Sequence, residues 1–101
     1  MVYKQFRESN TVRMRREKFV QKADQILKKL DNELKFHEMG HGNVGNVVQI
    51  EIIKVQVQNM QKALSLEKFE PDFQRFIIDS WDFSNPLGNA LLDLIQFYSK
   101  L

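Results

Sequence analysis

Residues 47–58 read VVQIEIIKVQVQ, and the choice between an all-helical and a mixed fold depends on the conformation of this segment. Apolar residues recur in it and beyond it at steps of three and four, the spacing of one face of a helix. They are Ile50, Ile53, Val57, Met60 and Leu64. Asn46 lies three residues before Gln49, which is the spacing of a capping box at a helix start. The pattern therefore favours a helix.

The same segment also supports an alternative. Residues 48–52 and 55–58 alternate apolar and polar side chains with period two and are rich in β-branched residues, both of which are typical of strands. The helical stripe is longer than either alternating fragment, and neither fragment ends in a hairpin signal such as Asn-Gly. An α+β fold remains the alternative if residues 47–58 form strand.

Upstream, the sequence predicts a long helix from about residue 11 to about residue 38. Ser9, Asn10 and Thr11 supply capping side chains at its start. Its apolar stripe consists of Phe19, Ala23, Ile26, Leu27, Leu30, Leu34 and His37. Residues 40–46, GHGNVGN, hold three of the four glycines and predict the loop that ends this helix.

Two further helices are predicted downstream. Residues 70–72, Glu-Pro-Asp, indicate the start of a short helix with Pro71 at its first position. Residues 82–86 repeat this start signal, and a final helix follows to the C-terminus. Because short connections place neighbouring helices antiparallel, we predict an all-α fold: a small antiparallel bundle of about four helices. A chain of 101 residues is expected to form one helical domain over residues 1–101.

The composition excludes several classes of function. The chain has no cysteine, which excludes a disulfide framework, a thiolate zinc finger and a cysteine nucleophile, and a cytoplasmic location is expected. No apolar run exceeds three residues, so no membrane span is expected. There is no Ser-His-Asp set, P-loop, dinucleotide-binding fingerprint or EF-hand loop, so neither a cofactor nor a small-molecule ligand is implied.

One stretch does suggest catalysis. Residues 37–41, HEMGH, resemble the motif of the zincin family of zinc metallopeptidases. That resemblance implies His37 and His41 as zinc ligands on one face of a helix and Glu38 as the general base.

The neighbouring residues favour a structural role for this stretch. The longer metzincin form requires glycine and histidine at positions that are Val44 and Val47 here. Gly42 and Gly45 predict that the helix ends where an active-site helix would continue. His37 then extends the apolar stripe of the helix, and no catalytic, cofactor-binding or metal-binding residue is predicted.

Charge is distributed unevenly along the chain. Residues 1–29 carry nine Lys or Arg and three acids, a net +6, whereas the remainder carries six and ten, a net −4. A basic ridge, formed by Arg15, Lys18, Lys22 and Lys29, follows one side of the first helix and could track phosphates. No aromatic residues interleave this ridge to stack bases, and Glu17, Asp24 and Glu33 are close enough in sequence for ordinary helix-surface pairs. A solvated helix face is the favoured interpretation.

Aromatic residues are concentrated in the last third of the chain, where core filling is their expected use. Trp81 and Phe83 flank Asp82 at the corner before the last helix. The alternative is that one of these two rings is partly exposed and anchors a partner.

These observations predict a non-catalytic helical interaction module that binds a protein partner or its own copy in a homo-oligomer. In size, basic pI and helical composition the chain is similar to small bacterial bacteriocin-immunity proteins and helical chaperones, which implies the same kind of function. Two alternatives stay open: a zinc hydrolase that uses His37, Glu38 and His41, and a nucleic-acid-binding protein that uses the basic ridge.

Overall fold

Segment 47–58 is helical throughout in the computed structural model, which describes residues 10–82 and 84–101. It lies within the second of four helices found in those residues: α1 (Asn10–Glu38), α2 (Val47–Ala63), α3 (Gln74–Ser80) and α4 (Pro86–Ser99). No strand occurs in the same residues. The all-α bundle is therefore confirmed, and the α+β alternative is wrong.

Capping side chains set the starts of α2 and α4, and both helices begin where the sequence predicts. The Asn46 side chain accepts a hydrogen bond from the backbone N–H of Gln49, with 2.9 Å between the atoms. The Asn85 side chain accepts from the N–H groups of Leu87 and Gly88, and Pro86 occupies the first turn of α4. These contacts satisfy backbone donors that have no partner within the helix. Ser9, one of the predicted caps of α1, lies outside the described residues.

The start predicted for α3 is wrong, because the helix begins at Gln74 and not at Pro71. The backbone N–H of Asp72 donates to the side-chain oxygen of Gln56 on α2, and the Gln56 amide donates back to the Asp72 carboxylate at 2.7 Å. Pro71 and Phe73 are buried on either side of Asp72. This anchored segment keeps the chain non-helical for three residues beyond the predicted start.

The long helix α1 is the centre of the packing, since both α2 and α4 lie against it while α3 packs on α4. The core consists of Phe19, Ala23, Ile26, Leu30, Val44, Ile50, Ile53, Val57, Met60, Phe73, Ile77, Trp81, Leu91, Leu94 and Tyr98. The predicted three-and-four stripe of α2 is buried from Ile50 to Met60. None of the described helices has the length and apolar content that crossing a membrane requires.

Tyr98 joins three parts of the bundle. Its ring packs beside that of Phe19 on α1, with 5.4 Å between the ring centroids. Its hydroxyl group lies 2.7 Å from the carbonyl oxygens of both Ser65 and Phe69 in the connection between α2 and α3, and its single proton is shared between them. The last helix is thereby fixed to both α1 and this connection.

Candidate functional site

The HEMGH stretch spans the end of a helix. Helix α1 ends at Glu38, and Gly40 adopts a positive φ of 81°. The backbone N–H of His41 donates to the carbonyl oxygen of Phe36 at 2.7 Å, which closes the helix end. The zincin motif needs both histidines on one continuous helical face. His41 lies beyond that face.

His37 is engaged on two sides. Its Nε2 atom donates to the carbonyl oxygen of Val44 at 2.8 Å and lies 3.2 Å from a carboxylate oxygen of Glu33. On the other side of the ring is Gly42, where a β-carbon would overlap the imidazole. Among residues 10–82 and 84–101, no three His, Cys, Asp or Glu side chains come together to hold a metal ion. This geometry does not support a zinc site at His37, Glu38 and His41.

Glu33 carries the polar network that closes the loop between α1 and α2. Its carboxylate accepts hydrogen bonds from the backbone N–H of Val44 at 2.9 Å, the backbone N–H of Asn43 and the Asn43 side-chain amide. We call Glu33, His37, Asn43 and Val44 the loop clasp. Glu33 is buried, so the predicted pairing of this residue on the surface of α1 is wrong.

The environment of Glu33 favours its charged form. Burial raises the pKa of the carboxyl group, but the hydrogen bonds from Val44 and Asn43, with a smaller contribution from His37, outweigh burial and leave the pKa below its usual value. The carboxylate therefore acts as a fixed acceptor for the loop. Its role here is structural.

Trp81 closes the other side of the same loop. It is buried, and its indole N–H donates to the side-chain oxygen of Gln49 at 3.2 Å. Gly45 has a φ of 64°, and a β-carbon there would come within 2.9 Å of the indole ring. Trp81 is therefore a core residue and not an exposed anchor. Phe83, the other aromatic residue considered at this corner, lies outside the described residues.

The basic ridge of α1 borders a groove against α4. At one end, Arg15, Lys18, Phe97 and Lys100 line an open cavity of about 730 Å³. The groove continues past Lys22 and Lys29, and Asp93 is the one acid among the described residues that line it. Arg15 donates to the carbonyl oxygen of Lys100 at 3.3 Å.

An aromatic ring does accompany these cations, although the one aromatic residue between them in the sequence of α1, Phe19, is buried in the core. Lys22 Nζ lies 6.0 Å from the ring centroid of Phe97, which is partly buried on α4. The ring reaches the ridge because α4 packs beside α1. No local pattern in α1 could have indicated this neighbour.

A second apolar stripe follows the solvent side of α2. Val48, Ile52 and Val55 are 67%, 38% and 55% exposed. They recur at steps of four and three, and Asn59 continues the series by four. We call these four residues the α2 outer face, and they lie on the opposite side of the helix from the buried stripe of Ile50, Ile53 and Val57.

The surface around this face is shallow and open. A depression of about 640 Å³ is lined by Val48, Ile52 and Phe76, among others, and a second of about 400 Å³ continues past Val55. The period-two alternation in residues 47–58 arises because both sides of one helix carry β-branched residues. The spacing of residues 48, 52 and 55 is the sequence signal for this surface, which a prediction based on the buried stripe alone misses.

No family model, curated protein or solved structure matches this chain. We therefore infer its function from its own residues.

Proposed function

We propose that this chain is a non-catalytic interaction module that binds another protein chain through the α2 outer face. The observation that carries the proposal is the exposure of Val48, Ile52 and Val55 on a helix whose other side already packs in the core. A helix that packs only against other helices of its own bundle needs one apolar stripe, and the rest of its surface is normally polar. A contiguous exposed apolar patch is a common mark of a binding surface.

The edges of the face support this proposal. On one edge, Gln56 is bonded to Asp72. On the opposite side of the helix, Lys54 pairs with Asp31 on α1, with 2.7 Å between the charged atoms. These contacts fix the orientation of α2, so the apolar face is presented rigidly. A rigid surface loses little conformational entropy when it binds. We propose the reducing cytoplasm as the place where the module acts, in keeping with its lack of cysteine.

Val55→Glu should lower the affinity for the bound chain at least tenfold, whether that chain is another protein or a second copy. A buried valine contributes about 1.5 kcal/mol or more to an interface, which corresponds to about tenfold in affinity, and a buried carboxylate adds a further cost. The measurement is quantitative cross-linking of the full chain in its native cell, with the attached chains identified by mass.

Ile78→Glu is the matched control, because Ile78 is 57% exposed on α3 and Val55 is 55% exposed. The melting temperatures of both variants should stay close to that of the wild type, since neither residue fills the core. Equal losses of bound chain in the two variants, or no loss in Val55→Glu, would contradict the proposal.

We infer a second candidate function, the binding of single-stranded nucleic acid, from the groove between α1 and α4. Its basis is that Phe97 and Lys100 join the basic ridge. Cations spaced along a groove track phosphates, and an aromatic ring among them offers a surface on which a base can stack. Among the described residues that line the groove, Asp93 is the one acid beside five cations, so this part of the surface is positively charged.

The paired substitution Lys18→Glu and Lys22→Glu should weaken binding of a single-stranded probe more than tenfold. Wild-type affinity should fall with salt by a log–log slope of about −0.7 per phosphate neutralised. Fluorescence anisotropy over a salt series measures both effects. The paired control is Lys35→Glu and Lys68→Glu, which changes the net charge equally at exposed sites outside the groove. Undetectable wild-type binding, or equal weakening by the two pairs, would rule out this function.

A further inference from the structure

We propose that the partner of the α2 outer face is a second copy of this chain, bound antiparallel across a two-fold axis. This inference rests on the proposed function and specifies the occupant. Three features support it: the spacing of the face, the position of its charges and its size.

The spacing is that of a helix-to-helix contact. Val48, Ile52, Val55 and Asn59 follow steps of four, three and four, which is the seam repeat of two helices packed along their length. All three apolar members are β-branched, so their side chains lose little rotamer freedom on burial. Asn59, which is partly exposed, is the one polar residue in the seam. A single polar seam residue is a known device for fixing the alignment of two helices.

The charges beside the seam identify the partner and its direction. Glu51 and Lys62 lie on the same edge, eleven residues or about three turns apart. Both are exposed, and neither forms an ion pair with another described residue. The other edge carries Gln49 and Gln56, which are uncharged and bonded to Trp81 and Asp72.

An antiparallel two-fold arrangement places like edges together. With the axis at the middle of the seam, between Ile52 and Val55, Glu51 of one copy is offset from Lys62 of the other by about 9 Å along the helices, a distance that the glutamate and lysine side chains span together. Because a two-fold contact is reciprocal, this pair occurs twice. A parallel arrangement would instead place Glu51 against the edge of Gln49 and Gln56, where the charged residues Asp72 and Arg75 are already paired with each other. The charge pattern is thus complementary to itself in one orientation.

The size of the face sets the strength of the dimer. A helix of 17 residues offers a strip about 25 Å long and about 10 Å wide, or roughly 250 Å² per copy. That is below the roughly 600 Å² per partner at the lower end of stable interfaces. We therefore expect a reversible dimer whose population rises with concentration.

Charge-reversal substitutions at Glu51 and Lys62, made in the full chain, test both the identity of the partner and its orientation. In sedimentation velocity over a concentration series at low salt, Glu51→Lys and Lys62→Glu should each weaken the dimer about tenfold, because every attraction becomes a repulsion. The double variant should dimerise like the wild type. An equimolar mixture of the two single variants should also recover, because each then finds opposite charges on the other. Val55→Glu should be monomeric throughout.

Each result supports or overturns the inference. A wild-type chain that remains monomeric into the millimolar range overturns it. A dimer whose affinity is unchanged by the charge reversals, or by Val55→Glu, overturns it as well. If the wild type is monomeric but Val55→Glu still loses a cross-linked chain of different mass, self-association fails while the proposed function stands. If Val55→Glu changes no binding of any kind, both fail.

Discussion

Glu33→Ala should lower the free energy of unfolding by about 3 kcal/mol at neutral pH, because it removes the acceptor of the loop clasp. Two backbone N–H groups, of Asn43 and Val44, lose their partner, and of these two residues Val44 is buried. His37 loses its neighbouring carboxylate. Urea denaturation monitored by Trp81 fluorescence measures the change, since the indole packs against the same loop.

Glu38→Ala is the control for the Glu33 substitution. Glu38 is exposed in the last turn of the same helix, and its replacement should change stability by less than about 0.5 kcal/mol. Equal effects at the two positions would show that the clasp does not hold the loop.

The pH dependence of Glu33→Gln extends this prediction. The pKa of Glu33 is lowered in the folded chain, so its carboxylate stabilises the fold above the unfolded pKa of about 4.3. That contribution is lost as the pH falls through the lower, folded pKa. The wild type should therefore exceed Glu33→Gln in stability at neutral pH, and the difference should narrow below about pH 4.3. A difference that stays constant into acid would contradict the assigned role.

Tyr98→Ala should cost about 4 kcal/mol, because it empties a fully buried site and removes the ring that packs against Phe19. Tyr98→Phe keeps the ring and removes only the hydroxyl bond to Ser65 and Phe69, so it should cost about 1–2 kcal/mol. Scanning calorimetry of both variants separates the two contributions.

Gln96→Ala, at an exposed position on α4, provides the baseline for Tyr98. If Tyr98→Phe were as stable as the wild type, the hydroxyl would not fasten α4 to the connection between α2 and α3. If Tyr98→Ala matched Gln96→Ala, the aromatic contact with α1 would be without effect.

The local sequence was sufficient to predict those helices whose apolar stripe and capping residues lie close together along the chain. The stripe from Ile50 to Met60 and the capping role of Asn46 both depend on residues within one helix, and both are present in α2. Asn85 and Pro86 likewise predicted the start of α4. The start of α3 could not be predicted in this way, because Asp72 is held by Gln56, sixteen residues earlier.

The same distinction applies to the candidate sites. Gly42 and Gly45 indicated that HEMGH marks a helix end. The sequence did not indicate that His37 would lie beside the carboxylate of Glu33, four residues before the motif, and donate to the carbonyl oxygen of Val44. Glu33 is buried because the loop folds back onto α1. The spacing of residues within a helix cannot predict such a contact. Phe97 reaches the basic ridge only through the packing of α4 against α1, across most of the chain.

Both the buried and the exposed side of α2 carry apolar β-branched residues, and this has a consequence for the unfolded chain. Residues 47–58 combine β-branched side chains with no proline, no glycine and balanced charge, which is the composition of segments that assemble into cross-β fibrils. Val48, Ile52 and Val55 stay at the surface, so folding does not hide them. Protection against fibril assembly comes from the backbone, whose N–H and C=O groups are committed to the hydrogen bonds of the helix.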